Sequence, residues 1–311
     1  MTFALIFPGQ GSQSVGMMNG YGESSAIREA FTEASDALGE DLWQMVSEGP
    51  AERLALTVNT QPLMLTAGVA AYRAWLAAGG PKPALVAGHS LGEYSALVAA
   101  GALSFAEAVP LVRFRAQAMQ EAVPEGEGAM AALMGLDIEG VRAACLEAEQ
   151  GEVVDAANLN APGQIVIAGA KAAVERAMEL ATAKGAKRAV LLPVSAPFHC
   201  ALMKPAAERL RERLATVRIS RPEIDVLNNV DVAVQDDPEK IRDALVRQAF
   251  SPVRWIESVT AMAGRGMIRV IECGPGRVLA AMTRRISKDV EGGSLHDAAS
   301  LEQMLTELGK E

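Results

Sequence analysis

Cysteine and histidine are scarce in this sequence. Its three cysteines, Cys145, Cys200 and Cys273, lie far apart and form no CxxC pair. This pattern suggests neither a disulfide framework nor a zinc site, so we expect buried, reduced thiols. Histidine also occurs only three times in 311 residues, too rarely and too scattered to predict a metal cluster.

Positive charge is also in short supply. Lysine and arginine number 29 against 38 aspartates and glutamates, which gives a formal net charge of -9. Proteins that bind nucleic acid need a basic surface for phosphate contacts, so this balance argues against a nucleic acid partner. It is compatible with a cytoplasmic enzyme that its charge keeps in solution.

Long uninterrupted apolar runs are absent from the sequence. The longest apolar stretch, Ala84–Leu103, contains His89, Glu93 and several glycines, so it does not predict a membrane span. The N-terminus has no basic segment and its apolar run stops at Pro8, which argues against a signal peptide. We therefore expect a cytoplasmic protein without a membrane partner.

Short apolar runs alternate with helical periodicity along most of the chain, which indicates an α/β fold with a mainly parallel sheet. Between residues 124 and 196 the pattern becomes strand–helix–strand–strand–helix–strand, the order of a ferredoxin-like unit. We predict a main domain over residues 1–123 and 197–311, interrupted by a ferredoxin-like subdomain over 124–196. The stretch after Gly292 is polar and is expected to be a tail that ends in a short helix, Ser300–Leu308.

The segment Gly88-His89-Ser90-Leu91-Gly92 fits the G-x-S-x-G pattern of serine nucleophiles. It follows a predicted strand and precedes a predicted helix, the context in which a tight turn pushes the serine hydroxyl outward. The helix N-terminus offers free N–H groups, including that of Leu91, to a developing oxyanion. We therefore predict that Ser90 is a nucleophile.

A serine nucleophile needs a base, and three histidines are available. His89 adjoins Ser90, but neighbouring side chains on a tight turn point apart, so packing beneath the turn is the better interpretation. His296 lies in the polar C-terminal stretch. His199 lies in the turn-like segment Ser195–Cys200 after a predicted strand and is the best candidate by elimination.

A glycine-rich loop, Pro8-Gly9-Gln10-Gly11-Ser12-Gln13, follows the first predicted strand. A dinucleotide-binding fingerprint would need glycine at the position of Ser14, so that interpretation fails. The loop can instead bring a backbone N–H close to Ser90 and supply a second oxyanion donor beside Leu91.

Taken together, these segments resemble the malonyl-CoA:acyl-carrier-protein transacylases, whose separate motifs recur here in the family's order from residue 3 to about residue 286. The shared motifs are Phe7–Gln13, Gln61-Pro62, Gly88–Tyr94, Arg115 with Met119–Ala122, Asn158–Gln164, Pro193–His199, Asn228–Val230, Gln248 and Glu272–Gly276. Such a set is far more specific than the serine turn alone.

The resemblance implies an α/β-hydrolase-like core that carries the ferredoxin-like insert. It also implies that Ser90 is the nucleophile and His199 the base. The N–H groups of Gln10 and Leu91 would form the oxyanion hole. The backbone carbonyl of Gln248 would orient the histidine, in place of an acidic residue.

The same resemblance assigns Arg115 to the free carboxylate of a malonyl group. A guanidinium group can bind a carboxylate through two hydrogen bonds, which suits this role. Arg113 lies two positions away, on another face of the predicted helix. Phe198, just before the histidine, is a position at which the family varies.

The implied activity is transfer of malonyl from malonyl-CoA to the phosphopantetheine thiol of acyl carrier protein, through a malonyl-serine intermediate, for fatty acid biosynthesis. The enzyme itself would need no cofactor and no metal, and we expect a monomer. Because such carrier proteins are acidic, an enzyme of net charge -9 requires a local basic docking patch, with the candidates Lys184, Lys187, Arg188, Arg284 and Arg285.

Other functions stay open at this point. A serine hydrolase or thioesterase with the chain order Ser…Asp/Glu…His would use His296 as its base. The same fold could serve as the acyltransferase component of a malonate decarboxylase or of a polyketide system. A non-catalytic module that binds carrier proteins is disfavoured by the joint presence of Ser90, His199 and Arg115.

Overall fold

The structure, a computed structural model, describes residues 2–309. Its strands are β1 (Phe3–Phe7), β2 (Leu85–Gly88), β3 (Gly128–Met134), β4 (Val154–Ala161), β5 (Gln164–Ala170), β6 (Arg188–Leu191), β7 (Asp225–Leu227), β8 (Arg269–Cys273) and β9 (Glu291–Leu295). Its α-helices are α1 (Ser25–Leu38), α2 (Leu42–Glu48), α3 (Ala51–Ala55), α4 (Thr57–Ala77), α5 (Gly92–Ala99), α6 (Phe105–Glu121), α7 (Ile138–Ala148), α8 (Lys171–Ala183), α9 (Lys204–Ala215), α10 (Pro238–Gln248), α11 (Trp255–Gly264), α12 (Val278–Ile286) and α13 (Ala298–Leu308). None of these helices combines the length and apolar character that a bilayer crossing requires.

The larger sheet has the strand order β7-β2-β1-β8-β9, and every neighbouring pair is parallel. The central strand β1, Phe-Ala-Leu-Ile-Phe, is buried at all five residues. A parallel strand with both faces covered must be apolar throughout, which explains why β1 reads as a continuous apolar run rather than an alternating one. The prediction of an α/β fold with a mainly parallel sheet is confirmed.

The smaller sheet is antiparallel, with the order β4-β5-β3-β6. Its strands and helices follow one another as β3-α7-β4-β5-α8-β6, which is the ferredoxin-like sequence of elements. Apolar residues of both helices, among them Val141 and Val174, pack with Ile167 of the sheet in a core cluster of their own. The fold class expected from the sequence is therefore confirmed, while the division of the chain at residues 124 and 196 stays a prediction.

Backbone hydrogen bonds join the smaller sheet to the main domain. The N–H of Leu159 donates to the carbonyl of Val253, and the N–H of Val253 donates to the carbonyl of Ala157, both at 2.9 Å. In addition, Met130 of β3 and Val166 of β5 belong to the apolar cluster of the main domain. The smaller sheet therefore forms one wall of a cleft against the larger one.

Strand β9 is the clearest departure from the expected elements. The polar tail predicted after Gly292 was wrong for its first residues, because Glu291–Leu295 pair in parallel with β8. The sequence of this edge strand is Glu-Gly-Gly-Ser-Leu, and only Leu295 is fully buried. Backbone pairing rather than an apolar pattern makes it a strand, so periodicity could not reveal it. The short helix that ends the tail is present as α13.

A close contact joins the end of β1 to Gly92, the first residue of α5. A methyl group added at Gly92 would lie 2.0 Å from the carbonyl oxygen of Phe7, the last residue of β1. Because β1 and β2 are parallel neighbours, the loop after β1 and the turn after β2 emerge at the same sheet edge. The absence of a side chain at Gly92 lets that loop lie directly against the start of α5.

We expect the substitution Gly92→Ala to lower the free energy of unfolding by about 3 kcal/mol, because the new methyl group meets backbone that no rotamer change can move. Urea denaturation measures this quantity. Gly264→Ala, at the end of α11, is the control, since a methyl group there meets no atom within 4 Å. Equal losses in the two variants would contradict the close-contact explanation.

Candidate active site

Ser90 occupies the turn between β2 and α5 in a strained conformation. Its φ angle is +52°, in the left-handed region that costs a residue with a side chain about 1 kcal/mol or more. Its backbone N–H donates to Oδ1 of Asn229 at 2.8 Å, and its carbonyl accepts the N–H of Glu93 at 3.1 Å. These bonds hold the turn so that the Ser90 hydroxyl points into a cavity.

The hydroxyl of Ser90 contacts His199, a residue 109 positions further along the chain. Oγ lies 2.7 Å from Nε2 of His199, and Nδ1 of the same ring lies 2.9 Å from the backbone oxygen of Gln248. A carbonyl oxygen can only accept, so Nδ1 carries the ring proton and Nε2 is left to accept from the serine. The structure thus brings the predicted nucleophile, base and orienting carbonyl together.

Arg115 projects from α6 into the same cavity and is only 2% exposed. Its guanidinium group donates to Oε1 of Gln61 at 2.8 Å, to Oε1 of Gln248 at 2.9 Å and to Oγ of Ser90 at 3.2 Å. All three acceptors are neutral, so a buried positive charge lies next to the serine and bonds to no carboxylate. Such an arrangement is costly unless an anion binds there.

Arg113, two residues earlier, faces elsewhere. Its guanidinium group donates to both carboxylate oxygens of Glu40, at 2.9 and 3.0 Å. The helical spacing therefore separates the two arginines as expected, and it is Arg115 that reaches Ser90.

Gln10 and Leu91 lie on either side of the serine. Leu91 precedes the first residue of α5, where the N–H groups of a helix have no partner within it. The loop that carries Gln10 touches the turn, since a methyl group added at Gly9 would lie 2.6 Å from the carbonyl oxygen of His89. Both residues line the cavity beside Ser90. Their part in an oxyanion hole stays a prediction.

The cavity has a volume of about 220 Å³ and lies between the two sheets. Ser90, His199 and Arg115 meet at its base, and further polar side chains line it, namely Gln10, Ser12, Gln61, His89, Asn158 and Asn160. The rest of its wall is apolar. The apolar wall residues come from the smaller sheet, from α12 and from the segment before His199, and include Met130, Val166, Leu192, Phe198, Leu279 and Met282. A charged ligand that enters is therefore largely removed from water and faces a limited set of polar groups.

His199 is held in its neutral form by its surroundings. Burial in the first place, and then the positive charge of Arg115, lower the pKa of His199 to about 3. At neutral pH the imidazole is therefore unprotonated, which is the state that a general base needs.

The other two histidines bond elsewhere. Nε2 of His89 lies 2.8 Å from Oδ1 of Asn160, and its ring packs against Trp255 with the centroids 5.4 Å apart. His296 bonds within its own segment, with Nδ1 3.0 Å from Oγ of Ser294 and Nε2 near the carboxylate of Asp297. Of the three histidines, only His199 contacts Ser90.

Two residues of the site escaped the sequence analysis. Neither Glu93 nor Asn229 was assigned a role from the sequence, although both lie within shared motifs and Glu93 also interrupts an apolar stretch. Both bond to the backbone around Ser90. A carboxylate directly after a serine turn, within an otherwise apolar run, was the signal that could have indicated a buried function for Glu93.

The fold and the site are those of an acyltransferase. Residues 4–307 match the family model described as acyl transferase domain. The chain is 56% identical over 300 residues to the malonyl CoA-acyl carrier protein transacylase of Haemophilus influenzae, a match that covers 96% of each chain.

Solved structures agree closely with this assignment. The crystal structure of acyl-carrier-protein S-malonyltransferase from Burkholderia pseudomallei 1710b is 60% identical, with a TM-score of 0.97 over 98% of this chain and 100% of that one. A malonyl-transacylase solved in complex with a type II PKS acyl-carrier protein is 50% identical, with a TM-score of 0.97 over 99% and 100% of the two chains. The protein belongs to the malonyl CoA-acyl carrier protein transacylase family.

We expect Ser90 to react with a neutral fluorophosphonate ester at a rate that stays level from about pH 8 to about pH 5, because His199 remains unprotonated over that range. A histidine with the ordinary pKa of about 6.5 would lose reactivity in the middle of it. Labelling rates measured by intact-protein mass spectrometry test this expectation.

The variant Arg115→Met provides the comparison for this pH profile. Loss of the neighbouring positive charge removes one cause of the low pKa of His199. The acid limb, the pH range in which protonation of His199 slows labelling, should therefore move to higher pH. A wild-type acid limb near the ordinary histidine pKa, or a limb that does not move in the variant, would contradict the assignment.

Proposed function

We propose that this protein transfers a malonyl group from malonyl-CoA to the phosphopantetheine thiol of an acyl carrier protein. The observation that carries the proposal is the buried guanidinium group of Arg115, 3.2 Å from Oγ of Ser90 and bonded only to neutral acceptors. Malonyl differs from acetyl by one carboxylate, and this group is the anion that the site lacks. The names of the relatives, and a related structure solved with an acyl-carrier protein, support the donor and the acceptor.

In the first half of the reaction the malonyl carboxylate binds Arg115 and displaces its contact with Ser90. The serine hydroxyl gives its proton to Nε2 of His199, and Oγ forms a bond to the thioester carbon. The oxyanion accepts the N–H groups of Gln10 and Leu91, each worth about 3 kcal/mol of barrier by analogy with other oxyanion holes. The C–S bond then breaks, and the coenzyme A sulfur takes the proton from His199.

In the second half the phosphopantetheine thiol takes the place of coenzyme A. Its proton passes to His199 while its sulfur attacks the malonyl ester, and Oγ of Ser90 leaves and recovers the proton. In both halves the carbonyl of Gln248 keeps the ring oriented and stabilises the imidazolium that forms. The donor and acceptor therefore use one base in alternation, which is ping-pong chemistry.

The substrate's own charge helps the base in this scheme. Before binding, the positive charge of Arg115 disfavours protonation of His199. A malonyl carboxylate compensates that charge and so raises the affinity of the imidazole for the serine proton. An acetyl group supplies no such compensation, so the same contact contributes to both binding and selectivity.

The carrier protein is proposed to dock on basic side chains near the cavity. Among the candidates, Lys184 forms an ion pair with Glu147 at 2.9 Å, which leaves it less free to bind a partner. Arg284 and Arg285 lie at the end of α12, the helix whose Leu279 and Met282 line the cavity, and are the favoured members of the set. The cytoplasmic location, the monomeric state and the lack of a need for a cofactor stay predictions.

Mixing the protein with malonyl-CoA should produce a malonyl ester on Ser90, detected by intact-protein and peptide mass spectrometry, and Ser90→Ala should show none. His199→Ala should slow ester formation by about 10² to 10⁴-fold, the usual contribution of a general base. His296→Ala should react at the wild-type rate. Loss in His296→Ala together with retention in His199→Ala would instead favour the serine hydrolase.

Arg115→Met should reduce the preference for malonyl-CoA over acetyl-CoA by about 100-fold or more, since a charge-assisted bond to a buried carboxylate is lost. The ratio of Ser90 acylation rates with the two donors gives the measurement. Arg113→Met is the matched control on the same helix, because Arg113 bonds to Glu40 and should leave the ratio unchanged. A wild-type ratio in Arg115→Met would remove the basis for malonyl selectivity.

A further inference from the structure

Behind Ser90 lies a buried carboxyl group that the proposed reaction steps do not use. Glu93 is the second residue of α5 and is 2% exposed. Its Oε2 accepts a hydrogen bond from the backbone N–H of Asn229 and another from Nε2 of Gln248, both at 2.9 Å. These two residues lie 136 and 155 positions further along the chain, so one oxygen atom joins three distant segments.

Asn229 carries this contact to the backbone of the nucleophile. Its Oδ1 accepts the N–H of Ser90 at 2.8 Å, while its Nδ2 donates to the carbonyl of Gly88 at 2.7 Å. The side chain thus spans the end of β2 and the strained residue that follows it. A left-handed serine persists only where surrounding contacts hold it, and Asn229 supplies two of them.

Gln248 carries the contact to the other functional groups. Its Nε2 also donates to the carbonyl of Ser90 at 3.1 Å, and its Oε1 accepts from Arg115 at 2.9 Å. Its backbone oxygen accepts from His199 at 2.9 Å. A single residue therefore touches the nucleophile's backbone, the base and the buried arginine.

The carboxyl group of Glu93 and the carbonyl of Ser90 together set which way the Gln248 amide faces, and Glu93 makes the shorter of the two bonds. The two ends of a glutamine amide are nearly equal in shape, so its orientation follows from the partners at each end. An acceptor at Glu93 draws the NH₂ end toward itself, which leaves Oε1 for Arg115. Without Glu93, only the 3.1 Å bond to the Ser90 carbonyl holds the NH₂ end in place. The amide is then freer to turn and present NH₂ to the guanidinium group, where donor would face donor.

We propose that Glu93 is a positioning residue for acyl transfer, which acts as a hydrogen-bond acceptor on Asn229 and Gln248. Through them it fixes Ser90, His199 and Arg115. The inference rests on the proposed function only for its effect on Arg115 and malonyl selectivity. Its effect on Ser90 and His199 concerns the reactivity of the serine itself.

The role requires an acceptor at the reach of a glutamate side chain, and it does not require the negative charge. Both donors bond to the same oxygen, which keeps its lone pairs whether the carboxyl group is ionised or protonated on its other oxygen. Burial raises the pKa of Glu93 to about 7, so both forms are populated near neutral pH. The alternative is a purely structural role, in which the negative charge of Glu93 stabilises the N-terminus of α5 and the hydrogen bonds do not matter for reactivity.

Two substitutions separate these roles. Glu93→Gln keeps the reach and an acceptor oxygen but removes the charge. Glu93→Asp keeps the charge but withdraws the acceptor by about 1.5 Å, which takes a 2.9 Å bond beyond hydrogen-bonding distance. Leu97→Ala serves as a control for loss of packing. Leu97 lies one turn after Glu93 on α5, and both residues line one small cavity, separate from the one at Ser90.

The measurement is the rate at which a neutral fluorophosphonate ester labels Ser90, per folded molecule, with the folded fraction taken from thermal denaturation. We expect Glu93→Gln and Leu97→Ala to label at rates within about threefold of the wild-type rate. Glu93→Asp should label at least about tenfold more slowly, which corresponds to about 1.4 kcal/mol of activation free energy. Ser90 acylation by malonyl-CoA and by acetyl-CoA should show, in addition, a lower malonyl preference in Glu93→Asp.

A wild-type labelling rate in Glu93→Asp would overturn the proposal, as would an equal loss in Leu97→Ala, which would mean general destabilisation. Slow labelling in Glu93→Gln together with fast labelling in Glu93→Asp would assign the effect to charge and also overturn it. Because labelling needs no malonyl group, this result stands even if the wild-type protein forms no malonyl ester and the proposed function fails.

Discussion

A buried positive charge that bonds to no carboxylate governs this site. Arg115 is removed from water and bonds only to amide and hydroxyl oxygens. Burial of an unpaired charge costs several kcal/mol, and three hydrogen bonds offset only part of that cost. The remainder is available to an anionic ligand, whose binding relieves it. The same charge lowers the proton affinity of His199, so the arginine couples ligand binding to the state of the base.

This charge also gives a physical reason for a carbonyl group, rather than a carboxylate, behind the histidine. An acidic residue in place of the Gln248 carbonyl would add a negative charge to the buried network that also holds Arg115. That charge would partly compensate the guanidinium group before substrate arrived. A backbone carbonyl orients the ring equally well and brings no net charge. The acidic side chain bonded to this network, Glu93, is separated from the guanidinium group by the neutral amide of Gln248.

The sequence predicted those parts of the structure that are determined by residues close together in the chain. Buried strands such as β1 are continuous apolar runs, and the serine turn is a five-residue pattern, so both could be found from neighbouring residues alone. Strand β9 could not, because its pairing with β8 depends on backbone groups that every residue carries. Local pattern selected His199 only by elimination, and the family resemblance had to support the choice, since a contact between residues 109 positions apart leaves no trace in local pattern. The Glu93 contacts were missed for the same reason.

The low proton affinity of His199 also bears on why a thiol, rather than water, would receive the acyl group. Burial, the larger cause of the low pKa of His199, persists when a malonyl carboxylate compensates Arg115, so the imidazole still removes a proton from a strong acid more readily than from a weak one. An ordinary thiol has a pKa of about 8.5, whereas water has one of about 15.7, so the thiol needs much less help from the base. The apolar walls around Ser90, built in part by Met130 and Val166 of the smaller sheet, act in the same direction because they offer water few hydrogen-bond partners. In the proposed reaction, a weak base in this partly apolar cavity therefore favours the more acidic acceptor, and the insert that completes the cavity takes part in that selection.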